Sequence, residues 1–124
     1  MSGQKGYHES ETELSAAAKD QHRAVESLME ELEAVDWYSQ RIEAAQDQEL
    51  KDILAHNRDE EIEHAVMILE WLRRNVPKFD EEMRARLFKT GRIAAEDEDQ
   101  NGAAEPRDLG IGSLKPRSTE EASR

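Results

Sequence analysis

From Thr12 to Ala44 the chain carries no glycine and no proline, the residues that most readily break a helix. Through this stretch run Leu14, Ala18, Gln21, Val25, Leu28, Leu32, Val35, Ser39 and Ile42, at spacings that alternate between four and three. Such positions share one face only on an α-helix, and a seam sustained this far is that of a helix packed lengthwise against others. The chain is thereby held to an all-α fold. Ser10 and Glu13 read as a capping box that opens the helix, so that it runs from about residue 12 to 44.

Ala45, Gln46 and Asp47 offer a break, and Asp47 is a good N-cap. A second helix is predicted over 48–75 on the seam Leu50, Leu54, Asn57, Glu61, His64, Ile68 and Trp71, with Ile53 and Leu72 beside it. Pro77 should stop it. A short third helix is expected over 80–88, carrying Met83, Leu87 and Phe88 and closed by Gly91. The two main helices are roughly 40–50 Å long at about 1.5 Å per residue. The short connection makes them an antiparallel hairpin. The layout expected is a loose N-terminus over 1–11, a helical domain over 12–90 and a polar linker over 91–108. A small apolar island at 109–115 and a polar tail over 116–124 follow.

Composition narrows the partners. The formal net charge is −12 over 124 residues, which disfavours nucleic acid and anionic membranes and gathers cations. No cysteine is present, so disulfides, thiolate metal sites and thiol nucleophiles are excluded, in keeping with a reducing cytoplasm. Met1 to Glu13 is polar, which predicts no secretory signal, and no segment approaches the ~20 apolar residues of a membrane span.

The chemistry lies where polar residues interrupt the second seam. Glu61 and His64 stand where leucine or isoleucine would be expected, and their spacing of three projects both side chains to one side. Left unpaired in an apolar seam, they would cost several kcal/mol, as buried ions do. On the first helix, Glu31 lies about 60° from the seam centre at about 100° per residue, flanked by Leu28, Leu32 and Val35, with Tyr38 one heptad further. In an antiparallel hairpin the two helix midpoints face each other, so Glu31 can meet Glu61 and His64. Diiron carboxylate sites in four-helix bundles take one Glu from each of two helices and a Glu-x-x-His from each of the other two. This chain supplies half of that set and half of such a bundle, and pairing with a second copy would complete both. From the residues alone a register-setting polar contact stands beside the metal reading. Asn57 reads as a polar contact of that kind. Glu30, Glu33 and Trp37 fall on the opposite face of the first helix, either as a solvated acidic face or as an outer cation-collecting site. His8, His22 and His56 read as surface residues.

Residues 24–75 closely resemble the encapsulated ferritins, through MEELEAVDWY at 29–38, LAHNRDEEIEH at 54–64 and LEWLRRN at 69–75. Residues 1–12 and 92–107 carry no such match. The resemblance implies a ferritin-like two-helix chain whose homodimer forms a ferroxidase site with two iron ions, Fe²⁺ being the substrate, and whose dimers assemble into a ring, typically a decamer. It implies that Glu31, Glu61 and His64 are iron ligands, that Tyr38 lies beside the centre, and that Glu30 and Glu33, near Trp37, form a metal-entry site. It also implies storage and detoxification of iron as cargo inside a cytoplasmic encapsulin nanocompartment. The island Leu109-Gly110-Ile111-Gly112-Ser113-Leu114-Lys115 resembles an encapsulin cargo-loading peptide, with Leu109, Ile111 and Leu114 as docking residues. The alternative in a different class is a non-catalytic metal-buffering or structural cargo bundle.

Overall fold

Three α-helices and one 3-10 turn make up the secondary structure of a computed structural model in which residues 6–95 are described. The expectations for residues 1–5, for most of the linker, for the apolar island 109–115 and for the tail 116–124 lie outside the described residues. The chain divides into two units between Val76 and Pro77, and each is taken by itself.

The first unit holds α1 (Ala16–Ala44) and α2 (Gln48–Asn75), which pack against each other as an antiparallel pair. The first helix starts later than the sequence predicts. Ser10 makes no capping hydrogen bond to the backbone; its hydroxyl pairs with Thr12 Oγ1 at 3.0 Å, and Glu11–Glu13 form only a 3-10 turn. Leu14 is extended and lies outside the helix. Ser15 is the true cap, its Oγ accepting from Ala18 N at 3.0 Å. Three alanines follow it, the best helix formers available, and they decide where the helix begins. The expectation for α2 holds at both ends: Asp47 accepts from Leu50 N at 2.9 Å, and the helix closes at Asn75.

The packed faces follow the predicted seams in part. On α1 Val25, Leu28, Val35, Ser39 and Ile42 of the predicted seam are half-buried together with Ala24, Glu31 and Tyr38, while Leu32 is 52% exposed. Glu31 therefore lies within the seam and Leu32 beside it, the reverse of the sequence reading. On α2 Leu54, Asn57, Glu61, His64 and Ile68 of the predicted seam are half-buried, with Ala65 and Leu72 buried beside them. Leu50 and Trp71, which the sequence places on the seam, are exposed. The physical reason is that each helix carries more apolar surface than one partner helix can cover. Two overlapping heptad stripes coexist, and the hairpin covers positions of both.

The second unit begins with α3 (Pro77–Arg86), three residues earlier than predicted. Pro77 both ends α2 and occupies the first position of α3, where its missing N–H costs nothing. Val76 before it is extended at φ −128° and ψ 101°. The helix also ends earlier than expected. Leu87 N still donates to Met83 O at 2.9 Å, but Phe88 sits in left-handed backbone at φ 59°. Arg86 then closes the segment by donating to Ile93 O at 3.0 Å and to Ala95 O, and Ala95 is buried.

Candidate metal centre

Glu31, Glu61 and His64 converge where the middles of α1 and α2 face each other. One donor atom from each lies within 4.8 Å of the others, and among the described residues no other group of three metal-ligating side chains does this. His64 Nδ1 is 3.5 Å from Glu31 Oε1 and 3.5 Å from Glu61 Oε1. Those separations allow attraction to a charged imidazole but exceed the normal hydrogen-bond range of about 2.7–3.2 Å. Glu31 Oε1 is buried and has no hydrogen-bond partner. A buried acceptor left without a donor costs free energy, so a cation placed there would compensate it.

The electrostatics agree. The Glu31 carboxyl is raised above its ordinary value, first because a proton on it can be shared with Glu61, then by burial and by the like charge of Glu61. His64 acts in the opposite direction but does not overcome the other causes. Two carboxylates forced together, with one imidazole at their edge, form a site short of positive charge. The side chains of Glu31 and Glu61 are 23% and 25% exposed, whereas His64 is 45% exposed and faces outward. Carboxylate oxygen and imidazole nitrogen together suit iron, manganese or zinc.

Glu31 and His64, though not Glu61, line a cleft of about 480 Å³ whose walls include Arg23 and Ser27 of α1 and Met67, Ile68 and Trp71 of α2. Sequence reasoning gave no role to Arg23, Ser27 or Met67. The signal was present: Ser27 and Arg23 precede Glu31 by four and eight residues, and Met67 follows His64 by three, so each shares a face with a site residue.

The other candidate residues are placed differently. Tyr38 is half-buried on the packed face of α1 with the Arg41 guanidinium 5.3 Å from its ring centre, and it is not a member of the donor trio. Glu30, Glu33 and Trp37 are exposed, and the two carboxylates join no third donor among the described residues. Asn57 is half-buried on α2. His56 pairs with Glu60 at 3.2 Å, and His22 pairs with Glu26 at 3.5 Å while its ring meets Tyr7 at 5.0 Å, so these histidines take surface ion pairs. Among the described residues no helix is long and apolar enough to cross a membrane.

Known proteins share this arrangement of helices. The solved crystal structure of protein ne0167 from Nitrosomonas europaea superposes with a TM-score of 0.69 at 59% identity, over 73% of this chain and 99% of that one. A protein of Rhodospirillum rubrum named encapsulated ferritin-like protein is 51% identical over 87% of this chain and 86% of its own length. A ferritin-like protein of Thermotoga maritima is 49% identical over 87% of this chain and 96% of its own. The family described as EncFtn-like matches residues 6–90, which span both main helices, the donor trio and α3. The chain belongs to the EncFtn-like family.

Proposed function

We propose that this protein is a ferroxidase, oxidising Fe²⁺ to Fe³⁺ at a site that two copies of the chain build together. The observation that carries the reading is the buried, unpartnered Glu31 Oε1 beside Glu61 and His64. One chain gathers three donors and leaves them short of a cation. A second copy would bring the total to four carboxylates and two imidazoles, the ligand set of a diiron carboxylate site in a four-helix bundle. Trp71 in the cleft wall and Ile53 further along α2 are exposed apolar residues that give that copy a surface to cover.

In this reading Glu31, Glu61 and His64 bind Fe²⁺. Iron supplies the electron chemistry: two Fe²⁺ give one electron each, dioxygen accepts both, and two protons complete hydrogen peroxide. The carboxylates favour the product charge state, because hard oxygen anions gain more from Fe³⁺ than from Fe²⁺. His64 adds a neutral ligand that limits the negative charge. Tyr38 lies on the packed face one heptad beyond Glu31, with the exposed Arg41 placing its guanidinium over the ring. Glu30 and Glu33 on the outer face collect cations for the site. The net charge of −12 favours the same traffic.

The family, and the likeness to the encapsulated ferritin-like protein of Rhodospirillum rubrum, support a role as encapsulin cargo, storing and detoxifying iron inside the shell. Leu109, Ile111 and Leu114 would be the docking residues on that shell, and dimers would join in a ring. The test is Fe²⁺ oxidation followed by absorbance after anaerobic loading and admission of air. Wild-type protein should turn over, and a Glu61→Ala, His64→Ala double variant should lose most of the rate. A double variant that oxidises Fe²⁺ at the wild-type rate removes the site assignment, and binding without turnover by the wild type establishes a non-catalytic metal-buffering bundle.

A further inference from the structure

Of the methionines on α1 and α2, Met29 is 63% exposed and Met67 is 56% exposed. Only Met67 stands in the wall of the cleft that Glu31 and His64 line. It follows His64 by three residues, so its thioether lies one helical turn away on the same side. Its neighbours in that wall, Ile68 and Trp71, carry no group as readily oxidised by peroxide as a thioether.

We propose that Met67 is a sacrificial modification site, taking up hydrogen peroxide released from the donor trio before it leaves the cleft. The inference rests on the ferroxidase reading, which supplies the peroxide by two-electron reduction of dioxygen. The Met67 sulfur attacks one peroxide oxygen, the O–O bond breaks, a sulfoxide S–O bond forms, and the other oxygen departs as water. Sulfur loses two electrons and peroxide gains them. A methionine sulfoxide reductase supplied with two electrons and two protons by a dithiol, which becomes a disulfide, would restore the thioether and release the oxygen as water, so the site can be used again.

Position, not exposure, makes Met67 special, and that gives the test its contrast. The full-length protein is loaded with Fe²⁺ without oxygen and then exposed to air, and sulfoxide at Met29 and Met67 is measured by peptide mass spectrometry. A parallel sample without iron receives hydrogen peroxide from solution. Turnover should oxidise Met67 at least about five-fold more than Met29, whereas peroxide from solution should oxidise Met29 at least as much as Met67. Equal ratios in the two arms, with Fe²⁺ oxidation proceeding normally, overturn the proposal and leave the ferroxidase reading intact. Absence of Fe²⁺ oxidation removes both.

Discussion

His64 Nδ1 stands 3.5 Å from Glu31 Oε1, reaching from one helix to the other without a hydrogen bond between them. The side chains are gathered but not satisfied. Gathering without satisfaction is the arrangement a cation would complete.

The first consequence concerns stability in the metal-free protein. Glu31 is raised in the folded state, so its contribution favours folding at low pH and is lost as pH rises through the raised value. Glu31→Gln stays neutral throughout. It should stabilise the metal-free protein at neutral pH by roughly 1 kcal/mol, about 4–8 °C in Tm, and flatten the decline with pH. The same variant should lose the thermal stabilisation that Fe²⁺ gives the wild type under anaerobic conditions. Melting curves with chelator and with Fe²⁺ check both halves.

A second consequence concerns association. Leu32, Leu50, Ile53 and Trp71 are large apolar side chains exposed on one hairpin, a surface suited to a partner copy. Sedimentation velocity should find dimers or larger species. Ile53→Glu, at an exposed apolar position of α2, should shift the protein toward monomer and depress Fe²⁺ oxidation with it, although residue 53 is no ligand.

Much of this was legible beforehand. The bounds of α2, the hairpin and the convergence of Glu31 with Glu61 and His64 all follow from heptad spacing and one good cap. The place of Glu31 within the packed face was hidden because spacing alone cannot rank two stripes that share Leu28, Val35 and Ile42; packing half-buries Val25 and Ser39 of one and Glu31 and Tyr38 of the other. The start of α1 was misplaced because Ser10 with Glu13 fits a capping pattern that Ser15, followed by three alanines, outcompetes. The start of α3 was misplaced because Pro77 was read only as a stop, when it also opens the next helix.

That competition between caps is itself testable. Ser15→Ala removes the bond to Ala18 N and should cost about 1 kcal/mol. Ser10→Ala, with no backbone bond to lose, should be nearly neutral. Denaturant titration of the two variants decides between the two starts of α1.

Near the end of α2, Glu70 is clasped by Arg73 Nε and Nη2, each at 2.8 Å, and by Arg74 Nε at 2.7 Å. These hydrogen bonds lower its carboxyl from 4.5 to about 2. A depressed carboxylate adds stability above its unfolded value and loses it as pH falls from 4.5 toward about 2. Glu70→Gln should therefore be less stable than wild type at neutral pH, with the gap closing across that acid range. Thermal melts from pH 7 downward would show it.

The central claim is that a second copy completes the cage around the cation. The most direct measurement is anomalous diffraction from crystals loaded with Fe²⁺. The account predicts iron held between Glu31, Glu61 and His64 of one chain and the same three residues of another. Iron bound by a single chain's donors alone, or settled away from this trio, would contradict it.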